Sequence, residues 1–169
     1  VLFGLFRPEE TTFTEETALL TAESNEIGVF GFFNVPYGHW IVRELKPAPA
    51  FVLNETLYPV TISEQEETIE ITAENRYITG AVQTTKVDAA YPGNKLSGAV
   101  FEVYVDVDGN REFDAAIDRP AGKLAETEPG IYRLDGLRYN GYFLHEAASP
   151  EGFLPDEVYY YFEIRVDGK

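Results

Sequence analysis

The 169-residue chain carries 29 acidic and 13 basic residues, a formal net charge of −16. Such an acidic surface repels phosphate backbones and anionic lipid headgroups, so we expect neither a nucleic-acid partner nor membrane contact. The apolar fraction of 44% is enough for folded cores, and there is no cysteine. The missing disulfides leave three interpretations open: a cytosolic protein, a stable core, or another kind of staple.

Short β-rich runs separated by turn residues predict an all-β chain. In chain order they lie at residues 1–6, 29–33, 40–44, 58–62 and 68–73, then at 82–87, 99–105, 130–134, 142–146 and 159–166. Turn clusters such as Pro36-Tyr37-Gly38 and Asp108-Gly109-Asn110 separate them. Residues 15–22 fit a helical turn, a strand or a loop equally well. Short strands at regular spacing are typical of β-sandwiches.

The chain repeats itself. Residues 29–44 align without a gap on residues 131–146, and the alignment continues with Tyr58 on Tyr160. A period of this length indicates tandem copies of one domain rather than a short-repeat array. We therefore predict two tandem immunoglobulin-like β-sandwich domains, 1–79 and 80–169, cut from a longer polypeptide.

Each copy places one glutamate at the same position of an apolar strand. Side chains two residues apart in a strand share a face, so Glu44 lies with Trp40, and Glu146 lies with Tyr142. If that face is the core, both carboxylates are buried. The alternative is an ordinary strand glutamate that is solvated or salt-bridged.

Three motifs stand out in the second copy. They are Lys86-Val87-Asp88, Leu96-Ser97-Gly98-Ala99-Val100-Phe101, and Gly141-Tyr142-Phe143-Leu144-His145-Glu146 followed by Pro150-Glu151-Gly152-Phe153. Together they closely resemble the Cna B-type domain, SpaA-like and prealbumin-like, of Gram-positive pilins and surface adhesins. Ser149 and Phe153 stand where that pattern has alanine and tyrosine. The first copy keeps the glutamate and the aromatic Phe51 but lacks the glycine.

The resemblance implies prealbumin-like sandwiches in the stalk of an extracellular, cell wall-anchored pilin or adhesin that is not an enzyme. The implied partners are other domains of the same surface protein, other pilin subunits and host extracellular matrix. A binding module for a host protein or glycan is the alternative, and an exposed aromatic patch would favour it. An enzyme would need two carboxylates across one cleft, whereas the repeated glutamates belong to separate copies.

The resemblance also implies a spontaneous Lys–Asn isopeptide bond in each domain, assisted by a buried acid and requiring no cofactor. It assigns Lys86 and Glu146 as the lysine and acid of the second copy, and Asn75 and Glu44 as the asparagine and acid of the first. By the repeat, the remaining lysine and asparagine are expected before Val1 and beyond Lys169, so neither bond should form in this fragment. Burial favours the uncharged amine, which can attack a carboxamide, and the uncharged acid, which can polarise its carbonyl.

An acidic loop in the second copy is a candidate calcium site. Its oxygen-bearing residues are Asp106, Asp108, Asn110, Asp114 and Asp118. Alternating oxygen ligands with a glycine at the turn suit Ca²⁺. Gly109 is, however, the fourth residue rather than the sixth expected of an EF-hand, and no glutamate closes the loop. Both a calcium loop and a solvated hairpin remain open.

Overall fold

The computed structural model describes residues 1–168 and confirms the all-β prediction. The chain divides into two compact units, one from Val1 to Arg76 and the other from Tyr77 onward. The boundary drawn from the sequence lies slightly later, after residue 79. No helix among residues 1–168 has the length and hydropathy needed to cross a membrane.

The first unit is built on a four-stranded antiparallel sheet. The first six strands are β1 (Leu2–Phe6), β2 (Leu20–Glu23), β3 (Gly38–Lys46), β4 (Phe51–Val52), β5 (Tyr58–Ile62) and β6 (Arg76–Tyr77). The sheet has the order β2-β1-β3-β5, and β4 and β6 form a separate short ladder. Its buried face carries Phe3, Leu5, Trp40 and Val42.

The second unit packs two sheets on one core. Its strands are β7 (Thr79–Thr85), β8 (Val100–Val105), β9 (Arg119–Lys123), β10 (Ala125–Glu128), β11 (Ile131–Arg138), β12 (Asn140–Ala148) and β13 (Tyr159–Ile164). One sheet has the order β9-β8-β12-β13 and the other β10-β11-β7. The first of these repeats the order β2-β1-β3-β5, so the sequence repeat is also a repeat of topology.

Alternation along the strands explains the core of the second unit. In β8, Phe101 and Val103 are buried while Glu102 between them is partly exposed. Tyr142 and Leu144 on β12 join the same cluster, and Tyr132 on β11 packs against it from the other sheet. These side chains point inward because successive residues of a strand face opposite sides of the sheet.

Two predicted strands of the first unit, 29–33 and 68–73, are wrong. The main chain of Val29 makes its hydrogen bonds to Asn25 rather than to a neighbouring strand. Its N–H donates to Oδ1 of Asn25, and its carbonyl accepts the N–H of Asn25, both at 2.9 Å. Phe30 nevertheless stacks on Phe3, with 3.8 Å between ring centroids. Ile71 and Ala73 pack on the same core. The alternation therefore reflects burial of alternate side chains without a hydrogen-bonded ladder.

Five short strands are missing from the predicted runs, namely β2, β4, β6, β9 and β10. Strand β2 occupies the end of the ambiguous segment 15–22, and β9 and β10 are largely exposed. Strand β9 contains Pro120, which an edge strand tolerates because one side of its backbone needs no partner. Strands β2, β9 and β10 form because β1, β8 and β11 offer edges for pairing, and apolar periodicity in the sequence does not reveal such edges.

Candidate functional site

The two repeated glutamates are buried at equivalent points of the two sheets. Glu44 is 1% exposed and Glu146 is 3% exposed. Glu44 lies opposite Phe3, and Glu146 lies opposite Phe101, across an antiparallel pair. The register shifts next to both pairs, which indicates a β-bulge at the same place in each unit. Bulges of this kind re-aim side chains next to functional sites.

In the second unit the buried acid has an amine as its partner. The Nζ atom of Lys86 lies 2.7 Å from Oε2 of Glu146. The main chain of Lys86 is held on both sides, because its N–H donates to Gly130 and its carbonyl accepts the N–H of Leu96, each at 2.9 Å. Gly130 has a φ of 73°, and an added Cβ would lie 2.9 Å from the Leu96 nitrogen. Glycine at this turn therefore lets the lysine segment approach.

The two oxygens of Glu146 differ in their environment. Oε2 also accepts the main-chain N–H of Asp156 at 2.8 Å. Oε1 is buried and has no hydrogen-bond partner among residues 1–168. A buried acceptor without a hydrogen-bond partner destabilises the folded state by about 1–3 kcal/mol. A further hydrogen-bond donor to this oxygen would remove that cost.

A cavity opens beside the lysine–glutamate pair. Its volume is about 250 Å³, and its lining includes Lys86, Glu146, Asp156, Phe101 and Tyr160. The lining therefore combines the buried acid and amine with aromatic rings. Such a space accommodates a side chain or a short extended segment next to the amine.

In the first unit the equivalent acid has a carboxamide as its partner. Nδ2 of Asn75 donates to both oxygens of Glu44, at 3.1 and 2.9 Å. Asn75 follows a segment in which Ile71 and Ala73 pack on the core. This packing places the carboxamide of Asn75 next to Glu44. Of the predicted site residues, the structure thus brings Asn75 to Glu44 and Lys86 to Glu146. Among residues 1–168, neither unit shows an acid bonded to both an amine and a carboxamide.

The acidic loop brings together three of its five predicted ligands. Carboxylate oxygens of Asp106, Asp108 and Asp118 lie within 4.8 Å of one another. Asp106 and Asp118 are buried, whereas Asp108 is exposed. Asn110 donates its Nδ2 to Asp108, and the Asp114 carboxylate accepts the N–H of Ala116, so both are engaged in local turns.

The buried carboxylates of this loop also organise its backbone. Asp106 accepts the N–H groups of Gly109 and Arg111, at 2.9 and 3.2 Å. Asp118 accepts those of Val107 and Asp114, at 3.1 and 2.8 Å. These bonds give the acids a structural role in addition to any binding of a cation.

Two residues beside Lys86 and Glu146, Asp156 and Tyr160, are not among the predicted site residues. Tyr160 donates its hydroxyl to Oδ2 of Asp156 at 2.6 Å. This hydrogen bond is the main reason that the pKa of Asp156 is lowered and that of Tyr160 is raised. Asp156 lies in an irregular loop where no periodicity applies, and only the Pro155-Asp156 turn pair could have marked it.

Comparison with known proteins identifies the fold. A family model described as SpaA, a prealbumin-like fold domain, matches residues 1–77 and 80–169. The chain is similar to the Bacillus anthracis TIE protein with a TM-score of 0.79 and 22% identity, over 99% of this chain and 28% of that one. No match was found among curated proteins.

Two solved pilin structures also align with the chain. A streptococcal ancillary pilin aligns with a TM-score of 0.43 and 21% identity, over 99% of this chain and 54% of that one. GBS52, the minor pilin of Streptococcus agalactiae, aligns with a TM-score of 0.38 and 19% identity, over 99% and 78%. The likeness to the TIE protein shows the fold alone, and the two pilin alignments are too distant to show more.

Proposed function

Because the chain belongs to the SpaA family of prealbumin-like fold domains, we propose that it is a stalk section of a Gram-positive cell-surface protein, either a pilin or an adhesin. In this role it lies outside the cell, in a protein anchored to the cell wall, and presents other domains away from it. Its partners are then the neighbouring domains of the same protein, other pilin subunits and the host extracellular matrix. The role is structural and needs no turnover of a substrate.

We further propose that both units are of the type stapled by a Lys–Asn isopeptide bond. The observation that supports this is the complementarity of the two sites. The acid at one position of the repeat meets an amine in the second unit, at Lys86, and a carboxamide in the first unit, at Asn75. Glu44 and Glu146 occupy equivalent positions of the repeat. Superposing the two units therefore gives a complete site in which one acid lies between an amine and a carboxamide.

The chemistry follows from the buried pair. In the first step a proton of the Lys86 ammonium passes to the carboxylate of Glu146, whose Oε2 lies 2.7 Å from Nζ. The neutral amine then attacks the carboxamide carbon while the protonated acid polarises the carbonyl oxygen. A C–N bond to the lysine forms, the C–NH₂ bond breaks, and ammonia leaves with the proton that the acid returns. No oxidant or cofactor is needed.

The mass of the natural polypeptide that contains this sequence tests the staple. Each bond releases one ammonia, so we expect the intact mass to lie about 17 Da below the calculated value for every bond formed. Lys86→Arg keeps the charge but cannot form the bond, so the mass deficit should be smaller by one ammonia, about 17 Da. Lys95→Arg, an exposed lysine of the same unit, is the matched control and should change nothing. A mass equal to the calculated value after folding would contradict the proposal.

We also propose that the acidic loop binds Ca²⁺ through Asp106, Asp108 and Asp118, whose carboxylates converge. Because a ligand that binds only the folded state stabilises it, calcium should raise the unfolding temperature of the second unit by several degrees, about 4–8 °C per kcal/mol for a domain of fewer than 100 residues. Asp108→Asn should remove this gain, because its exposed carboxylate supplies one charge to the cluster. Glu112→Gln, in the same loop but outside the cluster, should retain it. An unchanged unfolding temperature at saturating calcium in calorimetry would exclude the site.

A further inference from the structure

The loop between β12 and β13 returns across the Lys86–Glu146 pair. The main-chain N–H of Asp156 in this loop donates to Oε2 of Glu146 at 2.8 Å. The same oxygen accepts Nζ of Lys86 at 2.7 Å. A loop residue therefore contacts the acid of the proposed reaction directly.

The side chain of Asp156 fixes the loop in this position. Oδ1 accepts the N–H of Val158 at 3.0 Å, and Oδ2 accepts the hydroxyl of Tyr160 at 2.6 Å. Tyr160 lies on β13, opposite Leu144 of β12, the strand that also carries Glu146. The carboxylate thus ties the loop to the sheet that holds the acid.

This arrangement distinguishes the two oxygens of Glu146. Two donors, from Lys86 and Asp156, both converge on Oε2. Oε1 is left buried and without a partner among the described residues. With Oε2 occupied by two donors, Oε1 is the oxygen that is left to accept a further hydrogen bond.

Asp156 also contributes charge to the cavity. Its pKa is lowered by the Tyr160 hydroxyl, then by the Val158 N–H, with smaller contributions from Lys86 and His145. Lys86 therefore faces two acidic groups and one phenol: Glu146 from β12, Asp156 from the loop and Tyr160 from β13. A second anion therefore lies beside the amine of Lys86, and the two charges act on each other across the cavity.

We propose that Asp156 is a positioning residue for the Lys86–Glu146 pair. Its main-chain N–H holds Oε2 against Lys86 and leaves Oε1 for a further donor, and its carboxylate keeps that N–H in place through Tyr160. This inference rests on the proposed isopeptide chemistry and names a residue that this chemistry requires.

Rates of bond formation in the natural polypeptide test the positioning role. Mass loss is followed after cell-free synthesis for four variants. Asp156→Ala should slow the reaction roughly ten- to a hundredfold, because the acid loses its fixed orientation, while the unfolding temperature changes little. Tyr160→Phe should slow it in the same direction. Asp156→Asn can still bond to Val158 and Tyr160, so its rate should recover, and its pH–rate profile should move to lower pH. Glu157→Gln, an exposed neighbour, should behave like the unmodified protein.

Each other outcome has a defined meaning. A wild-type rate in Asp156→Ala, or a rate in Asp156→Asn that does not recover, overturns the positioning role. A pH–rate profile of Asp156→Asn that does not move overturns the effect of its charge on Lys86. If the unmodified protein forms no bond at all, the isopeptide proposal fails. Acetylation of Lys86 by acetic anhydride in the 169-residue chain then decides the charge effect alone, with Lys95 as the internal reference. Asp156→Asn should move the acetylation profile of Lys86 to lower pH, and an unmoved profile would refute the influence of Asp156 on the pair.

Discussion

Replacing Glu146 by glutamine is expected to stop ammonia release from the second unit while leaving its fold intact. Glutamine has the same shape, and its carbonyl can accept the N–H of Asp156, but it cannot take a proton from Lys86 or return one to the leaving group. General acid–base catalysis contributes about 10²–10⁴-fold to such reactions, so bond formation should slow by at least roughly a hundredfold. The measurement is the time course of intact mass in the natural polypeptide.

Two controls make this result specific. Glu151→Gln removes an exposed carboxylate in the loop that follows β12 and should leave the rate unchanged. Glu44→Gln removes the equivalent acid of the first unit and should affect only the bond of that unit. Mass loss at the wild-type rate in Glu146→Gln would remove Glu146 from its assigned role.

Replacing Lys86 by methionine is expected to destabilise the second unit of the 169-residue chain by about 3 kcal/mol. The side chain of Glu146 is only 1% exposed, so the loss of the amine leaves a buried carboxylate with one N–H donor, from Asp156. Removing one partner of a buried ion pair is costly because the other charge remains uncompensated. Lys86→Met combined with Glu146→Leu should recover most of the loss, because both charges are then absent.

The chain offers an internal reference for this measurement. Trp40 is its one tryptophan and lies in the core of the first unit, so its fluorescence reports unfolding of that unit. Hydrogen exchange of the β12 amides reports the second unit. The Lys86→Met substitution should accelerate exchange in β12 and leave the Trp40 transition in place. Equal exchange protection in the single variant and the unmodified chain would show that the pair is not buried as described.

Several features of the site could be read from the sequence. Period-two alternation placed Glu44 with Trp40 and Glu146 with Tyr142 on a core face, and the structure buries all four. The same alternation failed at 29–33, where Phe30 packs on the core although its segment has no ladder. Alternation therefore reports which side chains are buried, whereas a strand also requires a neighbouring backbone with free hydrogen-bonding groups.

By itself, the sequence determined the all-β class, the family and the presence of one equivalent acid in each of two copies, because these depend on local periodicity and on motifs within single strands. Only the tertiary structure decided which group reaches each acid: Lys86 for Glu146 and Asn75 for Glu44. It also placed the N–H of Asp156 on one oxygen of Glu146 and left the other without a partner. Such contacts join residues of separate strands and loops, and they depend on how sheets and loops pack rather than on the identity of neighbouring residues.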